Sequence, residues 1–121
     1  IQYAHARICS IEDQLAQEGY QIPELDNVDL SKLTADIELE LIKKLAQYPA
    51  EIAKSAESKA PHHIARYAYE LASLFHKFYN KCHVLIEDEE LLKARTALVE
   101  ATKQVILNVL AVLGVSAPES M

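Results

Sequence analysis

The sequence predicts an all-α fold, a bundle of five helices. Three observations point there. Glycine occurs twice and proline four times in 121 residues, which is too little turn chemistry for a many-stranded sheet. Alanine, leucine, glutamate and lysine, all good helix formers, dominate the composition. Apolar residues recur at three-four spacing, as they do on helices that turn one face to a core.

The first helix follows from Ile1, Ala4, Ile8, Ile11 and Leu15, which form one stripe, with Gly19 placed to end it. Residues 20–33 hold Pro23, Asp26, Asn27 and Asp29 without a sustained period and read as a loop, the expected place of chain mobility. Thr34 is the expected N-cap of a second helix. Asp36 and Glu38 suit its positive first turn, and Ile37, Leu41, Ile42 and Leu45 form its apolar face. Pro49 suits the first position of a third helix, thinly apolar through Ile52, Ala53 and Ala56 and ending near Ser58.

Pro61 repeats that start signal. Ile64, Ala68, Leu71, Phe75 and Phe78 then stripe a fourth helix, roughly 30 Å long for about 20 residues. Residues 80–87 break the pattern, and Asp88 can cap a fifth helix with Glu89 and Glu90 in its first turn. Its far end, VILNVLAVLG, is apolar nearly all round and predicts an enclosed helix. Gly114 is the expected stop, with Pro118 beyond it.

A chain of this length can bury one core but not two, so residues 1–121 read as one domain. Two isolated cysteines, Cys9 and Cys82, are too few for a disulfide scaffold and wrongly spaced for a cysteine zinc site, which fits a reducing cytoplasm. A membrane span would need about 18 consecutive apolar residues, and a secretion signal would need a basic-then-apolar leader. The sequence shows neither. Starting at Ile1 inside a helical pattern, the chain reads as a fragment of a longer protein.

The formal net charge of −6 argues mildly against nucleic acid, but it is unevenly spread. Residues 1–60 carry eleven acids against six cations, whereas residues 61–86 carry Arg66, Lys77 and Lys81 against Glu70 alone. Salt screens exposed charges beyond roughly 8–10 Å, so a local positive field can outweigh the total. The stretch PHHIARYAYELASLFHKFYNKCHV, 61–84, also holds four of five histidines, three of six tyrosines and both phenylalanines.

Unpaired RNA bases are held by stacking on aromatic or arginine planes, with cations beside them for phosphates. Tyr67, His76, Tyr79 and Asn80 supply rings and a base-reading amide, and Arg66, Lys77 and Lys81 supply charge. Other readings stay open. Tyr67 fits equally a packed ring with a satisfied hydroxyl, and Arg66 and Lys77 fit a solvated face. A metal site would draw on His76, Cys82 and His83 with His62 or His63, but their spacing matches no zinc pattern and no metal ligand is assigned. Cys82 beside His83 is adjacency in sequence, not the spatial arrangement a nucleophilic enzyme needs.

Three stretches, AHAR at 4–7, PHHIARYAYELASLFHKFYN at 61–80 and KARTALVEATKQVILNVLAVLGVSAPESM at 93–121, resemble the C-terminal DALR anticodon-binding domain of arginyl-tRNA synthetases. The resemblance spans nearly the whole chain apart from 20–33. Of the family's namesake tetrapeptide, Lys93-Ala94-Arg95-Thr96 keeps the alanine and arginine. Asn108-Val109 replaces a common Asn-Gly, and Ser120 stands where a basic residue is frequent.

The resemblance implies a helical bundle of the class I synthetase anticodon-binding type. It also implies a parent enzyme that joins arginine to its tRNA using ATP with Mg. The catalytic domain would lie upstream, so this fragment would hold no catalytic residue and no cofactor of its own. The implied partners are the anticodon loop of tRNA(Arg), its middle cytosine above all, and that upstream domain; the protein would be a cytoplasmic monomer with no membrane role. Met121 joins the tRNA-binding candidates through the family's typical ending, although it fits a plain tail as well. His5 and Arg7, in the shared AHAR segment, fit an interdomain contact or RNA. The competing reading is a helical protein–protein interaction module without RNA binding.

Overall fold

The computed structural model describes residues 1–20, 30–58, 62–84 and 86–114, without the side chains of 55–58 and 62. Among these residues the fold is all-helical: α1 (Gln2–Gln17), a 3₁₀ turn (Leu30–Lys32), α2 (Asp36–Ala46), α3 (Tyr48–Ser58), α4 (His62–Lys81) and α5 (Glu89–Leu113). Most of the expected loop (21–29), Pro61 and Met121 lie outside the described residues.

α4 is the hub and packs against all four other α-helices, while α5 packs on α1, α2, α4 and the 3₁₀ turn. The reason is in its stripe. Ile64, Ala68, Leu71, Phe75 and Phe78 are each fully buried, joined by Ile8 and Ala4 of α1, Leu41 of α2, and Ala94, Val99, Ile106 and Val109 of α5. Burying each large side chain stabilises the fold by about 1.5–3 kcal/mol, so this row holds the bundle together.

Helix ends follow local chemistry with three corrections. α2 starts one residue later than the sequence suggests. Its N-cap is Ala35, which has no capping side chain, and Glu38 compensates by accepting the Ala35 N–H at 3.0 Å. α3 starts one residue early, at Tyr48, leaving Pro49 inside the first turn, where its missing N–H costs nothing. The third correction concerns the apolar far end of α5, which is not enclosed among the described residues. Ala111 is exposed and Val112 is 55 % exposed, because this 25-residue helix is longer than the 16- and 20-residue helices it packs on.

Asp88 caps α5 as expected, its Oδ1 accepting the Leu91 N–H at 3.2 Å, and Gly114 ends the helix at φ 71°, a left-handed conformation that glycine adopts without penalty. By length and composition alone α5 could cross a bilayer. Its polar side chains are engaged across helices instead: Arg95 bonds Glu38 of α2, and Lys103 bonds Glu12 of α1 at 2.8 and 3.1 Å. Those links, with its buried apolar face, make it a core helix.

Candidate nucleic-acid interface

The outer ridge of α4 is set by helical geometry. Residues about 100° apart in turn place Arg66, Tyr69, Glu70, Ser73, Lys77, Asn80 and Lys81 opposite the buried stripe, and all are exposed. Tyr69 is the most open large ring, at 69 %. The single acid on this ridge is engaged by Lys44 of α2, whose Nζ lies 2.8 Å from the Glu70 carboxylate.

On the α1 side of the ridge a cross-helix stack forms. The Arg7 guanidinium lies 4.3 Å from the Tyr79 ring centre and 5.1 Å from that of Tyr3, and its Nη2 donates to the Tyr3 hydroxyl at 2.8 Å. Tyr3 in turn meets the His76 imidazole with ring centres 5.5 Å apart, and Phe75 backs His76 at 5.8 Å. Two helix pairs build this: Tyr3 and Arg7 sit four apart on α1, His76 and Tyr79 three apart on α4, and each pair shares a face. Burial, reinforced by the Arg7 charge, pushes the His76 pKa below the ordinary histidine value. At neutral pH the ring is therefore an uncharged donor and acceptor.

Beside the stack opens a cleft of about 240 Å³, lined by Ile11 and Gln14 of α1, Tyr79 and Asn80 of α4, and Cys82, His83 and Val84 of the following turn. It offers a ring wall, an apolar floor and two side-chain amides, which can donate and accept. Burial pushes the Cys82 thiol up despite the Arg95 charge, so it stays protonated. Among the described residues no three His, Cys, Asp or Glu side chains gather as a metal site would require.

The sequence-derived candidates divide. His76, Lys77, Tyr79, Asn80 and Lys81 come together at the C-terminal end of α4, beside the stack and cleft. Arg66 stands thirteen residues up the helix from Tyr79, about 20 Å away by the helical rise. There it borders a separate polar groove of about 400 Å³ with Lys44, Gln47, Glu51, Lys54, His63, Tyr67 and Glu70.

Tyr67 does not offer a stacking face. It is 2 % exposed, its ring packs near Tyr48 at 6.1 Å, and its hydroxyl donates to the Lys44 carbonyl. Burial and the nearby Glu51 charge push that hydroxyl well above the usual tyrosine range. His5 is likewise buried, 3 % exposed, with Nδ1 3.9 Å from the Cys9 sulfur.

Sequence reasoning passed over Tyr3 and Gln14. The signal was present: Tyr3, Arg7, Ser10 and Gln14 repeat at four-three-four spacing, a polar stripe beside the apolar one.

Comparison with known proteins agrees with this architecture. Residues 1–121 match the family of the DALR anticodon binding domain. An arginine–tRNA ligase of Carboxydothermus hydrogenoformans is 53 % identical over the whole chain, and one of Acetivibrio thermocellus is 50 % identical. The chain spans 22 % of the length of each of these relatives. Among solved structures, the Thermus thermophilus arginyl-tRNA synthetase superposes with a TM-score of 0.84 at 31 % identity, over 99 % of this chain and 20 % of that one.

Proposed function

The chain belongs to the DALR anticodon-binding domain family, and from that premise we propose that it grips the anticodon loop of an arginine tRNA for an arginine–tRNA ligase. The rest of such an enzyme, preceding this segment, would attach arginine using ATP with Mg. The observation that carries the reading is the Tyr3–Arg7–Tyr79–His76 stack standing open beside a base-sized cleft, with Lys77 and Lys81 on the adjoining ridge.

A splayed base stacks on the Tyr79 wall, contributing about 1–3 kcal/mol, while Gln14 and Asn80 read its edge. A cytosine at the middle position suits this, because its amino group and carbonyl pair with amide oxygens and nitrogens. Lys77 and Lys81 hold the flanking phosphates and fix the strand's position without reading it. The domain performs no bond-breaking step. Its contacts orient the acceptor end at the distant catalytic site, so binding energy is expressed in the transition state there. Activity as a monomer in the cytoplasm accords with this role.

Titration of the full-length protein with arginine tRNA and with a middle-base variant tests the proposal. Tighter binding of the former at every salt concentration is expected; equal binding of both defeats the reading.

A second contact, with protein, is favoured by one surface. Leu39 is 45 % exposed and Leu30 48 %, and Leu33, Ile42, Leu45, Ala97, Leu98 and Ala101 line an apolar groove of about 150 Å³ between α2 and α5. The preceding part of a polypeptide of the relatives' length is its natural occupant. Its removal should then leave this face self-associating on gel filtration, whereas unchanged monomeric elution would speak against it.

A further inference from the structure

Glu38 is a charged residue in the wrong place by ordinary rules. Its side chain is 1 % exposed, yet a buried carboxylate is costly unless both oxygens are satisfied. Both are: Oε1 accepts the Ala35 N–H at 3.0 Å, and Oε2 accepts Arg95 Nε at 2.8 Å. Arg95, reaching inward from α5, uses the other side of its fork as well. Nη1 donates to the main-chain carbonyl of His83 at 2.7 Å.

That carbonyl belongs to the turn between α4 and α5. Cys82 and Val84 on either side are 5 % and 6 % exposed, so the turn is anchored inward at both neighbours while the His83 side chain faces out. These three residues line the cleft together with Tyr79 and Asn80. One guanidinium therefore ties α2, α5 and the cleft's rim into one rigid unit. Buried ion pairs contribute little net stability compared with apolar replacements, so stability alone does not call for this arrangement. A fixed rim does, because selecting one base over another requires donors and acceptors that cannot shift to suit the wrong one.

We infer that Arg95, through its simultaneous hold on Glu38 and the His83 carbonyl, is a positioning residue that sets the rim of the cleft and thereby the choice of base. The inference rests on the anticodon reading above. Lysine at this position keeps the charge but gathers its donors on one freely rotating nitrogen, so it does not hold Glu38 and the His83 carbonyl in one fixed geometry as the planar fork does.

The test uses the full-length protein carrying Arg95→Lys, with Val99→Ala as a control, since Val99 is a fully buried residue of the same helix that does not line the cleft. Thermal melts fix a temperature at which every variant is folded. Affinities for arginine tRNA and its middle-base variant are then measured at that temperature. Arg95→Lys is expected to lower the ratio of the two affinities about tenfold, the factor set by one hydrogen bond's worth of binding energy, and Val99→Ala to leave it unchanged.

Glu38→Gln, which leaves Arg95 a neutral acceptor, is expected to fall between them and gives the readout if the lysine variant does not fold. A ratio within twofold of wild type in both site variants overturns the inference, and so does an equal loss in Val99→Ala. A wild-type protein that fails to distinguish the two RNAs is a different result: it removes the anticodon reading itself, and this inference with it.

Discussion

Replacing Tyr79 by alanine separates binding from folding more sharply than any other single change. The ring is half-buried, forms one wall of the cleft, and carries the Arg7 guanidinium 4.3 Å from its centre. If a base stacks there, its loss weakens tRNA binding by about 1–3 kcal/mol, or about 5- to 150-fold in Kd. The folded state loses less. A cation–π contact near the surface is worth about 0.5–1 kcal/mol, and partial burial of the ring adds an amount of similar size.

Phe78→Ala is the contrasting case. That side chain is fully buried and does not line the Tyr79 cleft, so its removal should cost about 3–5 kcal/mol of stability while sparing the affinity of whatever remains folded. The assay is fluorescence anisotropy with labelled arginine tRNA, paired with thermal melts of the same samples. Tyr79→Phe should retain nearly all the affinity, because the face of the ring does the stacking. A Kd for Tyr79→Ala within twofold of wild type would refute the reasoning, as would an equal loss in Tyr79→Phe.

Other outcomes follow from the same geometry. Tyr67→Phe removes the donor to the Lys44 carbonyl and should cost about 1 kcal/mol of stability, seen as a lower Tm, with tRNA affinity unchanged. Lys77→Ala and Lys81→Ala should each flatten the slope of log affinity against log salt by about 0.7, measured between roughly 50 and 200 mM. Glu100→Gln should alter the pH profile of stability. Burial, and then the bond to Glu12, push the Glu100 carboxyl up to about 7 from 4.5. Burial acts upward on Glu12 too, but bonds from Glu100 and Lys103 outweigh it and lower its pKa. An acid raised on folding contributes most below its unfolded pKa and loses that contribution as pH rises through the folded value. The wild-type Tm should therefore fall relative to Glu100→Gln between pH 4.5 and about 7. At pH 8 the variant should be the more stable by about 1 kcal/mol, or about 4 °C, after allowance for solvent screening.

What the sequence made legible was whatever a single helix encodes. The Ile64-to-Phe78 stripe, the Asp88 cap and the Gly114 stop depend on periodicity and end chemistry, and the structure places them as read. Both phenylalanines fell in the core for the same reason. What failed depends on which neighbour covers a flank. Tyr67, three residues after Ile64 and four before Leu71, sits at the edge of the α4 stripe, where a packed ring and an open one read alike. Lys44 and Tyr48 from α2 and α3 meet it there.

Tyr3 joined the candidate site, and Arg7 found its ring partners, because α1 lies along His76 and Tyr79, a pairing that no one-dimensional pattern states. Arg95 looked like a motif letter. In three dimensions it is a brace between α2 and the turn that rims the cleft. The end of α5 differs from its reading because an all-round apolar surface says that something must cover it, not that its packing partners among the described residues supply the cover.

A photoreactive pyrimidine placed at the middle anticodon position of arginine tRNA, irradiated in complex with the full-length protein, puts the base directly on the map. Crosslinked peptides should fall within residues 3–14 and 76–84, and they should vanish when the tRNA carries the reactive base two positions outside the anticodon. Crosslinks concentrated instead in the polar groove, around residues 44–54 and 63–70, would mean that the Tyr79 cleft is not where the base is read.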